Sequence, residues 1–142
     1  MVNIIIVTHG DFGAYLIEAA EGIVGAQEEG VKTVSISSRM SLESINLAVK
    51  KTSEELASPD GLVYLVDMPG GTPMNVVLPV ASGTEKSAVI CGINISMIIS
   101  AFSYRKNLGF EELVEKILSD GKRAVCEVKS LLNDMGSRGE GK

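Results

Sequence analysis

Short, almost unbroken apolar runs alternate along the chain with stretches of helical periodicity. The runs centre on Ile4-Ile5-Ile6-Val7, Leu62-Val63-Tyr64-Leu65-Val66 and Ala88-Val89-Ile90, with a more broken run, Val31-Lys32-Thr33-Val34-Ser35-Ile36, after the first. A strand that is apolar at every position is buried on both faces, which requires helices above and below a mostly parallel sheet. The alternation itself is the signature of successive strand–helix–strand units. Strands are therefore expected over residues 2–8, 31–36, 62–66 and 87–91.

The intervening segments carry helix signals. Leu16, Ile17, Ala20, Ile23 and Val24 share one face of a helix over residues 13–24. Ser41 stands as N-cap of a second helix, in which Leu42, Ile45, Val49, Thr52 and Leu56 recur at helical spacing. Thr72 is placed to cap a third, with Pro73 at its first position and Pro79 expected to shorten or kink it. Further helices are expected over residues 96–106 and 110–119. Residues 124–128 alternate weakly and are read as a fifth strand. The chain divides into one domain, residues 1–133, and a small polar tail, residues 134–142, expected to be flexible.

At 142 residues and a net charge of −5, the chain is long enough for a core. It offers no basic stripe to neutralise nucleic-acid phosphates. An acidic surface favours encounter with a basic protein face. The stretch from Ala88 to Phe102 is too short to span a membrane and is interrupted by Gly92, Asn94, Ser96 and Ser100. Cys91 and Cys126 are widely separated and lie in apolar runs, so buried free thiols in a reducing cytoplasm are expected. With a single histidine they cannot form a zinc site.

The chemistry-bearing residues gather where strands end. The only histidine, His9, follows the first strand as Thr8-His9-Gly10. The third strand runs into Asp67-Met68-Pro69-Gly70-Gly71-Thr72-Pro73. In a parallel sheet both turns lie on the carboxyl edge, where ligands collect. Gly70 and Gly71 permit a tight turn whose N–H groups converge. A following helix N-terminus adds positive potential, and the Thr72 hydroxyl adds a donor. Such a turn is either a cradle for a phosphoryl group or a plain capped joint. A neutral imidazole is a nucleophile when one nitrogen is free and the other held, and Asp67 is placed to hold it. Taken alone His9 reads as a structural histidine; taken with Asp67 and the glycine turn it reads as a phosphoryl acceptor. Asn94, past the fourth strand, either braces these loops or satisfies its own turn. Asp11 is read as a solvated turn carboxylate outside the site. No P-loop, dinucleotide fingerprint or serine-nucleophile elbow is present.

The motifs Thr8-His9-Gly10, Asp67-x-x-Gly70-Gly71-Thr72-Pro73-x-Asn75 and Gly92-x-Asn94 together resemble the IIA component of the mannose family of the bacterial sugar phosphotransferase system. The resemblance covers residues 1–132. It implies that His9 accepts a phosphoryl group from the carrier protein HPr and passes it to a IIB component, which serves a membrane IIC/IID complex. It implies that Asp67 orients the near ring nitrogen and that Gly70, Gly71 and Thr72 bind the phosphoryl group. It further implies a cytoplasmic homodimer, with residues 124–128 crossing to the partner's sheet. No cofactor or metal is expected, since the one carboxylate in the site is committed to the imidazole. Ser96 stands where the family usually has proline, which bears on the stiffness of that loop. Three other readings stand beside this one: a regulatory domain phosphorylated on histidine, the phosphotransfer subunit of a dihydroxyacetone kinase, and a ligand-binding α/β domain without turnover.

Overall fold

A computed structural model describes residues 1–140. Four strands, β1 (Asn3–His9), β2 (Val31–Ile36), β3 (Leu62–Val66) and β4 (Ser87–Cys91), form one sheet in the order β2-β1-β3-β4, with every pairing parallel. The helices are α1 (Phe12–Val24), α2 (Leu42–Glu55), α3 (Gly71–Ser82), α4 (Ile95–Tyr104), α5 (Phe110–Arg123) and α6 (Val128–Glu140).

The period-two alternation of side chains explains the three layers. Ile4 and Ile6 of β1, with Val63 and Leu65 of β3, point to a core shared with α1, α4 and α5 through Ala20, Met97, Ile98, Phe102, Leu113 and Ile117. Ile5 and Val7, with Leu62, Tyr64 and Val66, point the other way, into a core with α2 and α3 through Ile45, Val49, Val76 and Val77. The buried Tyr64 hydroxyl is not stranded, because it donates to Ser53 Oγ at 2.8 Å.

The path β1–β2–β3 steps one way across the sheet and then returns past β1. The strand order therefore reverses between β1 and β3, and the crevice at their carboxyl ends is the topological switch point. The two candidate side chains sit at that crevice.

Several local expectations are corrected. Residues 124–128 do not form a strand. Val125 is exposed, and Glu127 instead caps a helix, its carboxylate accepting from Ser130 N at 2.6 Å and Lys129 N at 3.2 Å. A weak alternation yields to that cap. α6 spans Val128–Glu140, which gives residues 134–140 of the expected tail a helical backbone and does not bear on their flexibility; residues 141–142 lie outside those described. Thr72 is not an N-cap: α3 begins two residues earlier, with Gly70 at the cap and no side-chain bond. Pro79 does not shorten α3, which continues to Ser82; Pro79 is exposed there, so the carbonyl it frees faces water. α5 passes Gly121 because Met97 fills the space a side chain would need. Ile23 and Leu42, expected on buried helix faces, are exposed, and so is Cys126.

Gly13 sets how closely α1 lies on the sheet. A Cβ there would stand 2.8 Å from Thr33 Oγ1, 2.9 Å from Ile6 Cγ2 and 3.1 Å from Thr8 Oγ1. Those are β-branched side chains with little freedom to move. Gly13→Ala is expected to destabilise the protein by about 1–3 kcal/mol. Gly22→Ala, in the same helix with open space around it, is expected to stabilise by roughly 0.5–1 kcal/mol. Urea denaturation of the two variants measures both signs.

Candidate functional site

The end of β1 and the end of β3 are brought side by side by register: Val7 pairs with Val66 in the last ladder step between them. His9 and Asp67 follow immediately. The His9 backbone N–H donates to Asp67 Oδ2 at 3.0 Å, and His9 Nδ1 lies 2.8 Å from the same oxygen. The Met68 N–H donates to Asp67 Oδ1 at 3.0 Å. The carboxylate thus takes over where the strand ladder stops. Its side chain is 12% exposed, against 51% for the imidazole.

Partial burial pushes the Asp67 carboxyl upward. Against it stand the hydrogen bonds from the His9 amide and ring, the ring's charge when protonated, and the Met68 amide; together they hold the carboxyl below its ordinary value. An ionised carboxylate only accepts hydrogen bonds, so Nδ1 carries the proton. In the neutral ring the lone pair of Nε2 is then free. One oxygen fixes both the tautomer and the ring's angle.

Thr8 supports this arrangement in a way its place beside His9 does not reveal. Its buried hydroxyl accepts from Gly13 N at 2.9 Å, capping the first turn of α1, and donates to Gly10 O at 3.2 Å. Gly10 N donates to Ile36 O at 2.8 Å. The turn carrying His9 is therefore tied to α1 and to the end of β2. The hint available in the sequence was a hydroxyl five residues before a helix-opening glycine.

The glycine turn closes over the other side of the ring. Gly70 adopts φ 76° and ψ 178°, a backbone region open almost only to glycine. Gly71 has φ 78°, and the position a Cβ would take there lies 3.7 Å from both Cε1 and Nε2 of His9. The backbone at the start of α3, with its unpaired N–H groups and positive dipole end, thus borders the free nitrogen. Thr72 lies in that first turn, exposed, and its hydroxyl makes no hydrogen bond among the described residues.

Asn94 is not part of this cluster. Its oxygen accepts from Met97 N at 3.0 Å, capping α4, and its amide donates to Gly121 O at 3.0 Å in α5. Both ends of the side chain are engaged in tying α4 to α5. Asp11 lies exposed ahead of α1 and makes no side-chain cap bond. Among the described residues no three His, Cys, Asp or Glu side chains gather as a metal site requires.

Two outcomes test this geometry. Gly70→Ala is expected to cost about 1–3 kcal/mol, because its backbone conformation excludes a Cβ; chemical denaturation measures it. The folded-state carboxyl of Asp67 titrates below the unfolded reference of about 3.9. The stability it confers is therefore present above that pH and is lost as pH falls through the folded value. The stability gap between the wild type and Asp67→Asn is expected to be widest near neutrality and to shrink below about pH 4, as followed by urea melts across pH.

The comparisons with known proteins agree with the architecture. Residues 3–118 match the family model EIIA-man, described as "PTS system fructose IIA component". The chain is 30% identical over 133 residues to the PTS system mannose-specific EIIAB component of Escherichia coli strain K12; the match covers 91% of this chain and 40% of that protein. It is 23% identical over 128 residues to the PTS system fructose-specific EIIA component of Bacillus subtilis, covering 89% of this chain and 87% of that one. The crystal structure of phosphotransferase system component EIIA from Streptococcus agalactiae superposes with a TM-score of 0.81 at 28% identity, covering 92% of this chain and 99% of that one. With a family match over most of its length, a parallel α/β fold shared with a solved EIIA and no helix long and apolar enough to cross a membrane among the described residues, the chain belongs to the EIIA-man family, the IIA components of the sugar phosphotransferase system.

Proposed function

We propose that this chain carries a phosphoryl group on His9 Nε2, taking it from the phosphohistidine of a small carrier protein, HPr, and giving it to a histidine of a IIB component. The observation that carries this reading is the 2.8 Å contact between Nδ1 and Asp67, which leaves the opposite nitrogen free, exposed and beside the glycine turn.

The step balances without a base. The Nε2 lone pair forms the new P–N bond while the bond from phosphorus to the donor's ring nitrogen breaks, and the donor nitrogen keeps that electron pair. His9 ends as a cationic ring with a proton on Nδ1 and phosphorus on Nε2. The positive charge that develops on the ring faces Asp67, which stabilises the transition state relative to the neutral ground state. Amides at the start of α3 and the Thr72 hydroxyl receive the phosphoryl oxygens. Catalysis is then positioning and charge stabilisation. Onward transfer reverses the same geometry.

The reading places the chain in the cytoplasm, upstream of a membrane IIC/IID complex, as one of two copies in a homodimer. The exposed apolar side chains Val128, Leu131, Leu132 and Met135 of α6 are a face that a second copy would cover.

Incubation with phosphoenolpyruvate, enzyme I and HPr is expected to yield an acid-labile phosphoprotein. His9→Ala is expected to abolish labelling with an unchanged melting curve. Asp67→Ala is expected to fold and to transfer roughly 10–100-fold more slowly, the range seen when the partner that orients a histidine is lost. Addition of IIB discharges the label in a relay. A label that IIB leaves untouched indicates a signalling role instead.

A further inference from the structure

The first turn of α3 offers fewer donors than a helix start ordinarily does. The leading N–H groups of a helix have no partner within it and are what an anion meets there. Residue 73 is proline, which carries no N–H. The amides of Gly71 and Thr72 and the Thr72 hydroxyl remain. A phosphoryl group on His9 Nε2 presents three oxygens to them.

Asn75, the last residue of the motif that opens at Asp67, stands next to this gap. It follows Gly71 by four residues and Thr72 by three, which makes it the surface neighbour of both, at Cβ separations of about 5–6 Å. At 3.6 residues per turn it lies about 40° round the helix from Gly71. A helical side chain leans toward the N-terminus, over the turn before its own. That of Asn75 thus leans over Gly71, where the place of a Cβ is 3.7 Å from His9 Nε2. The buried side of α3, formed by Pro73, Val76, Val77 and Ala81, is turned the other way, and Asn75 is exposed.

Nothing local calls for asparagine at this position. It is a weak helix former, and its side chain competes with the backbone for hydrogen bonds. In α2 the exposed Asn46 donates to Leu42 O at 3.0 Å. The Asn75 amide makes no hydrogen bond among the described residues, so its donors stay free for an oxygen brought in from outside.

We propose that Asn75 is a further phosphoryl-binding residue, whose Nδ2 donates to an oxygen of the group carried on His9 and supplies a donor in place of the one Pro73 lacks. The proposal rests on the reading of His9 as phosphoryl acceptor. During transfer one P–N bond forms as the other breaks; Asn75 gives a hydrogen bond and exchanges no proton. Donors fixed around the phosphoryl oxygens keep phosphorus in line between the two nitrogens. A neutral amide does so without cancelling the charge of the group.

The test uses the full chain and phosphoramidate, a small donor that makes no protein contact. Absence of label on the wild type overturns the His9 reading itself. Where the wild type labels, Asn75→Ala is expected to label about tenfold more slowly, less than the hundredfold or more lost with a donor in an enclosed oxyanion site. Asn75→Asp, which adds a negative charge and offers only acceptors, is expected to be slower still. Both are expected to melt no lower than the wild type, since alanine is the best helix former and a carboxylate near a helix start suits the dipole. Asn75→Gln keeps the amide and is expected to recover part of the rate. With phospho-HPr as donor, kcat of Asn75→Ala is expected to fall while KM stays within about twofold. In the isotope-labelled wild type, the Asn75 side-chain amide resonances are expected to shift on phosphorylation and to return on discharge. Leu78→Ala, further along the same exposed face of α3, is the control and is expected to label at the wild-type rate. Unchanged phosphoramidate labelling of Asn75→Ala and Asn75→Asp overturns the proposal. So does a raised KM for phospho-HPr with phosphoramidate labelling intact, which makes Asn75 a contact with the carrier protein instead.

Discussion

The parallel ladder between β1 and β3 is the constraint on which the site depends. Its register ends at Val7 opposite Val66, and the next groups in line are the His9 amide and the Asp67 carboxylate. A shift of one residue would turn every side chain of a strand to the other face. Ile4 and Ile6 would exchange cores with Ile5 and Val7, all of them fully buried. The packing of two cores thus holds the imidazole and carboxylate in register, although neither residue contributes to a core. The hydrogen bond at the tip is a by-product of burial along the strands beneath it.

The edge is then stiffened from outside the ladder. Thr8 fastens the His9 turn to α1. Gly10 fastens it to β2. Gly70 and Gly71 bend the β3–α3 connection into a conformation that carries the start of α3 up to the free nitrogen. These ties are a buried hydroxyl, a backbone bond and a backbone conformation, so the imidazole held by Asp67 stands among fixed dipoles. Preorganised dipoles of that kind stabilise developing charge without reorganising as it appears.

The sequence made the sheet, its order of elements and the His9–Asp67 pair legible, because each rests on a strong local signal. An unbroken apolar run has few alternatives to a doubly buried strand, and residues at two strand ends share an edge once those strands are parallel neighbours. What it left obscure depends on contacts between distant residues. Gly121 reads as a helix stop until Met97 is seen to occupy its side-chain space. Thr72 reads as a cap until Gly70 is found to turn the chain two residues sooner. Residues 124–128 read as a strand because four apolar residues outweigh one glutamate by eye, whereas the glutamate's two amide bonds decide the local conformation. Arg105 is the extreme case. The residue is 1% exposed, its guanidinium held by Gln27 Oε1 and by the carbonyls of Val2 and Glu29, with burial lowering its pKa. Nothing in the local sequence marks it as buried.

The charge arrangement around His9 bears on how long a phosphoryl group would stay there. Asp67 is committed to Nδ1, so its charge offsets the ring. On the free side the groups next to Nε2 are backbone amides at a helix end, equivalent to about half a positive charge. A dianionic phosphoryl group there would meet that partial charge and no lysine or arginine from the segment up to Val31. A lysine or arginine bound to the phosphoryl oxygens would lower the ground state and deepen the well from which onward transfer must climb. With His9 phosphorylated as proposed, amides that hold the group without neutralising it would favour passage over storage.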